Sequence, residues 1–111
     1  MFHPTEVDVI QEDLDNGVPE EACSCALALA LNRTTSDGSK WVVFNGQIGR
    51  RVENRNYIYG RPEETSNFVR TFDSKLGRLT LAPCQLKVHY AGRYWEDGNC
   101  VREFELRELE L

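Results

Sequence analysis

A chain of 111 residues, 41% of them hydrophobic, is long enough to close one core and too apolar to stay disordered. It holds no apolar run of the roughly 18 residues that a membrane helix needs, and its first residues lack the basic-then-apolar order of a secretory leader, so the expected location is cytoplasmic. The net charge of −5 argues against a general nucleic-acid binder, whose affinity comes from neutralising phosphate, but it hides an uneven distribution. Residues 1–39 hold eight acids and one base, giving −7; residues 40–79 hold eight bases and four acids, giving +4; residues 80–111 give −2. The middle third therefore keeps a local basic patch, and the acidic start faces either solvent or a basic partner.

In chain order, residues 6–10 alternate polar and apolar and predict a short strand. Residues 11–17 read as a helical turn stopped by Gly17. Residues 22–31 form the longest apolar run, Ala-Cys-Ser-Cys-Ala-Leu-Ala-Leu-Ala-Leu. Ala and Leu lose little side-chain entropy in a helix and no β-branched residue interrupts them, so a helix is predicted over 19–33. Pro19 suits its first turn, and Glu20 and Glu21 suit the positive end of its dipole. With Leu27 and Leu31 on one face, Leu29 nearly opposite and Ala on the remaining positions, it is expected to be buried on more than one side as the spine of the core.

A loop follows over 34–39. Residues 40–44 (Lys-Trp-Val-Val-Phe) predict a strand, Asn45-Gly46 a tight turn, and 47–53 the returning strand of a hairpin. Residues 56–59 predict another short strand. Pro62-Glu63-Glu64 opens a second helix running to about Leu76, with Phe68, Val69, Phe72 and Leu76 on one side and Gly77 closing it. Residues 78–81 and 85–90 alternate as strands around Pro83, and 93–95 with 99–106 read as a hairpin about Glu96-Asp97-Gly98. Residues 107–111 shift register and read as strand, bulge or fray. No repeat or linker divides the chain, so one domain is expected over 1–111. The economical architecture is α+β: an antiparallel sheet of about four to six strands with two helices packed on one face.

The four cysteines, Cys23, Cys25, Cys84 and Cys100, read as reduced thiols. Residues two apart on a helix point about 200° apart, which prevents a Cys23–Cys25 bridge there. Cys-x-Cys with scattered Cys84, Cys100 and His89 matches zinc-ligand spacing poorly, so neither metal nor cofactor is expected. An enzyme is not expected either. His3 sits near the terminus, and His89 shares the outward side of its strand with Lys87. A Cys25–His89 or Cys84–His89 nucleophile pair has no local support.

The richest candidate for binding is 49–61, carrying Arg50, Arg51, Arg55, Tyr57, Tyr59 and Arg61. Arginine forks onto phosphate or carboxylate oxygens, and tyrosine stacks on a base or anchors an interface. The alternative is an exposed hairpin whose arginines pair with Glu53, Glu63 and Glu64. The acidic counterpart is Asp8, Glu12, Asp13 and Asp15, followed by Glu20 and Glu21. Spaced in this way, the acids match a basic groove on a partner; helix-start electrostatics and solubility explain Glu20 and Glu21 equally well.

The runs Gln11-Glu12-Asp13-Leu14-Asp15-Asn16-Gly17, Cys23-Ser24-Cys25-Ala26-Leu27-Ala28-Leu29-Ala30-Leu31 and Phe68-Val69-Arg70-Thr71-Phe72-Asp73 resemble a family of short proteins common in bacteriophage and prophage genomes. Its members have a polar turn ending in Gly, a Cys-started Ala/Leu helix, a strand pair, and an aromatic helix ending in Phe-Asp before a final strand. The chain departs from them at Ser24, where many have Pro after the Cys, and in a longer C-terminal part. The family carries no activity to transfer. The resemblance implies a phage accessory protein acting in the host cytoplasm. The expected function is non-enzymatic: binding and inhibition of a host protein or complex, as in counter-defence of the anti-CRISPR type. The alternatives are sequestration of an anionic nucleotide and a structural or assembly role in the virion.

Overall fold

The computed structural model describes residues 2–35, 37–44, 47–74 and 76–103. The order is β1 (Glu6–Val9), α1 (Gln11–Asn16), α2 (Ala26–Thr34), β2 (Lys40–Phe44), β3 (Gln47–Val52), β4 (Arg55–Gly60), α3 (Glu63–Asp73), a 3-10 turn (Gly77–Thr80), β5 (Cys84–Lys87), β6 (His89–Glu96) and β7 (Asn99–Arg102). Strands β2-β3-β4-β6-β7 form a five-stranded sheet, and β1 and β5 form a separate two-stranded ribbon. Every pairing is antiparallel. The fold is α+β, as expected, with α1 as a third helix and the β1–β5 ribbon as an addition.

The core forms where α2, α3 and the ribbon meet one face of the five-stranded sheet. Leu27 and Leu31 of α2 pack with Val7 and Val9 of β1, Leu86 of β5, Phe68 and Phe72 of α3, and Trp41, Val43, Ile48 and Tyr59 of the sheet. Burying each leucine contributes about 1.5–3 kcal/mol. Ala26, Ala28 and Ala30 are fully buried too, and their small side chains leave room for neighbours on the other sides of the helix. Helix α1 is fastened to α2 through buried Asp13. That carboxylate accepts from the Ile10 backbone N–H at 3.0 Å and pairs with Arg33 of α2 at 2.9 Å. The first contact is the reach-back half of a capping box.

Three boundaries differ from the predicted ones, each for a local reason. The spine helix starts at Ala26, not Pro19. Glu20 is left-handed (φ 66°), and its N–H donates to the Asp73 carboxylate at the end of α3 at 2.9 Å. Residues 18–25 instead close on themselves in turns, with Glu21 donating to Val18, and Ser24 and Cys25 to Glu21, while the Ala22 carbonyl is taken by the Val43 N–H of β2. Helix α3 ends at Asp73, because Ser74 is extended and bonds back to Thr71; Leu76 is exposed and leaves the stripe. The predicted strand at 78–81 is the 3-10 turn, whose N–H groups are taken locally: Arg78 donates to Ser74 and Leu81 to Arg78.

The run 85–90 is divided between the two sheets. Strand β5 pairs with β1, Val88 donates to Thr5 at 3.0 Å, and from His89 the chain pairs with β4. Strand β6 then bulges opposite Ile58 and Tyr59, where Gly92 takes φ +80°. The predicted Asn45-Gly46 turn, the end of the 99–106 strand and residues 107–111 lie outside the described residues, while the β2–β3 and β6–β7 pairings around the first two are present.

Burial separates the thiols. Cys25 is enclosed, and desolvation pushes its thiol up; Cys23, Cys84 and Cys100 are exposed. A thiol reagent on the native protein is expected to react promptly with three groups and with the fourth only after denaturation. Four prompt groups would mean that the N-terminal end of α2 is open.

Candidate functional site

The register decides which face each side chain takes. Trp41 pairs with Arg50, Arg50 with Tyr57, and Tyr57 with Tyr94, so these lie on the core face. Arg51, the next residue along, lies opposite, in register with Lys40 and Asn56. The arginine–tyrosine segment expected to be a free ribbon is therefore split by alternation.

Its inward half is structural. Arg50 is 2% exposed. Its guanidinium pairs with Asp37 at 2.7 Å and donates to Ser39 Oγ at 2.9 Å, to the Phe2 carbonyl at 2.8 Å and to the Tyr59 hydroxyl at 3.1 Å, while lying 5.1 Å above the Trp41 ring. Tyr57 and Tyr59 are buried. His3 enters from the N-terminus, stacks on Tyr90 at 3.8 Å and bonds Tyr59 through Nδ1. Arg55 pairs with Glu96 at 2.7 Å and lies 4.5 Å over Tyr94, which raises its pKa. Its partner is thus Glu96 and not one of the glutamates expected. Arg61 is half-buried, and burial pushes its pKa down. Arg50, Tyr57 and Tyr59 are thus withdrawn from solvent, whereas Arg55 is part-exposed but held by Glu96 and Arg61 is half-buried.

Among the predicted acids, Asp13 is buried in the α1–α2 joint, Asp8 accepts from Gln85 and Asp15 from Gln11, and Glu12 is exposed.

Burial and the Arg50 charge lower the pKa of His3. Its native form holds the proton less well than the unfolded chain does, so stability falls as pH drops through about 6.5. Thermal melts between about pH 7.5 and 5.5 should show this fall in the wild type and a shallower one in His3→Gln. Equal slopes would show that His3 contributes nothing.

The outward half of the sheet is a different surface. Lys40, Arg51, Asn56, Trp95 and Cys100 stand in one cross-strand row, and Val42, Gly49, Ile58, Arg93 and Arg102 in the next. Phe44 and Gln47 begin a third, and the His89 ring covers Gly60 on the same side. Because residue 49 has no side chain, the Phe44 ring folds across the sheet: a Cβ there would lie 3.2 Å from Phe44 Cε2. Phe44 and Trp95 are 47% and 46% exposed. With Val42, Ile58 and the stem of Arg51 they line an open groove of about 550 Å³. Among the described residues, no Asp or Glu occupies an outward position in these registers.

A second cleft, of about 460 Å³, opens beneath Phe44 beside Glu20, Glu21, Cys25 and Asp73. Its carboxylates disfavour an anion. Burial pushes up the thiol of Cys25, and partial desolvation that of the exposed Cys84, away from the thiolate that nucleophilic catalysis uses. Among the described residues no three metal-ligating side chains converge, and no helix is long and apolar enough to cross a membrane.

Of the predicted binding residues, Arg51 is the one on the exposed groove. Lys40, Phe44, Arg93 and Trp95 were missed. Their signal was present in the alternation of 40–44 and 93–95, but only the register shows that these short segments share a face. Comparison of the chain with protein-family models, with curated proteins and with solved structures found no match.

Proposed function

We propose that this is a non-catalytic binding protein whose contact surface is the outward face of the five-stranded sheet, and that its partner is an anionic macromolecule. The observation that carries this reading is the sorting of charge. A chain of net charge −5 places Lys40, Arg51 and Arg93 on one sheet face, with no Asp or Glu at the outward positions of the described registers. Such a face attracts a polyanion locally, because Coulomb interaction falls with distance and the near cations outweigh the more distant acids. The apolar groove between the cations adds area that is removed from water on contact. On the resemblance to phage-encoded accessory proteins, the partner proposed is an anionic macromolecule of a bacterial host's cytoplasm, inhibited by being occupied.

Retention on immobilised heparin tests the reading. The wild type is expected to bind at low salt in spite of its net charge and to elute as salt rises, whereas Arg51→Glu passes through. A wild type that passes through at low salt contradicts the proposal.

A further inference from the structure

We infer that the occupant of the outward sheet face is single-stranded nucleic acid, its bases stacked on Trp95 and Phe44 and its phosphates on Lys40, Arg51 and Arg93. The inference rests on the reading of this face as an anion-binding surface and names the ligand. Single strands are held by two things together: flat aromatic faces, on which any base can stack, and a cationic track along the backbone. Both are present here.

Phe44 reaches over Gly49, its Cε2 3.2 Å from where a Cβ would stand, and stays 47% exposed. Trp95 stands in the same row as Arg51 and Lys40, two and three strands away, or about 10 and 14 Å at ordinary strand spacing. Aromatic and cationic side chains therefore interleave over a few nucleotides' width. Asn56, between Trp95 and Arg51 in that row, and Gln47 beside Phe44 offer amide donors and acceptors for base edges.

Two other occupants fit less well. A duplex hides its base faces in the stack and leaves Trp95 and Phe44 without a partner. An acidic protein surface would suit the arginines and the aromatic rings, which protein interfaces favour, but Lys40 is of a type they disfavour, and carboxylates do not stack on the rings as bases do.

The full chain is titrated at low salt into a fluorescein-labelled oligothymidylate of about 12 nucleotides, within the usual range of site sizes for such surfaces, and into its duplex with oligodeoxyadenylate. Anisotropy should saturate with the single strand and rise far less with the duplex, and tryptophan emission should fall. Trp95→Ala should weaken binding roughly tenfold while Trp95→Phe keeps most of it, as expected when stacking is lost or preserved. Arg51→Ala should weaken binding and reduce the salt slope by about one. Melting temperatures of the variants should match the wild type. If the oligothymidylate does not bind while heparin still retains the protein, the anion-binding reading stands and the nucleic-acid inference falls, leaving an acidic protein as occupant. Loss of both overturns both. Equal binding of strand and duplex, unchanged in Trp95→Ala, also overturns the inference.

Discussion

Arg50→Ala is expected to destabilise the protein by about 3 kcal/mol, a fall in melting temperature of roughly 10–20 °C for a domain of this size. Arg51→Ala, one residue on, is expected to change stability by less than about 0.5 kcal/mol. The contrast follows from alternation. Arg50 gives its donors to Asp37, Ser39, Phe2 and Tyr59 inside the core, and its removal leaves a cavity beside Trp41 together with unpaired oxygens. Asp37 is 46% exposed and regains water, so the loss stays below the maximum for a broken buried pair. Arg50→Met, which refills the space, should recover part of it. Thermal melts of the three variants decide the matter. An Arg50→Ala protein as stable as the wild type would show that the guanidinium is not the pin between the N-terminal segment, the 37–39 loop and the sheet.

Leu31→Ala should have a comparable effect, about 3 kcal/mol within the usual 2–5 for a fully buried leucine. Leu31 is 0% exposed, and α2 is the element on which the ribbon, α1 and the sheet converge. The site has little freedom to collapse, because fully buried Ala26, Ala28 and Ala30 already bring the neighbours close. Denaturant unfolding measures the loss; a cost below about 1 kcal/mol would place the core elsewhere.

The elements that could be read from sequence were those whose signal is local. The Lys-Trp-Val-Val-Phe strand, the returning strand after it, the start of α3 at Pro62-Glu63-Glu64 and the apolar spine all carry their pattern within a few residues. Pro19-Glu20-Glu21 carries the same start signal as Pro62-Glu63-Glu64 but does not begin a helix. A distant group, the Asp73 carboxylate, holds Glu20 in a left-handed turn, and tertiary contact overrides local preference there. Residues 85–90 likewise alternate as one strand, and nothing local says that the two halves join different sheets.

The site was legible only in part for the same reason. The residue types in 49–61 pointed to binding chemistry, and Arg51 belongs to the exposed face. Pairing with β2 and β6 was needed to show that Arg50, Tyr57 and Tyr59 face the core and that Phe44 and Trp95 face out. One-letter neighbours in a strand are physical opposites, so a cluster in sequence is seldom a cluster in space.

The two tryptophans offer the most direct test of this division of the sheet. The indole N–H of Trp41 donates to Thr35 Oγ1 at 2.7 Å inside the core, while Trp95 stands half-exposed on the outward face. In a proton–nitrogen correlation spectrum of the labelled protein, titration with oligothymidylate should move the Trp95 indole signal and leave that of Trp41 in place. Movement of Trp41 with Trp95 unmoved, or of neither signal, would contradict the account.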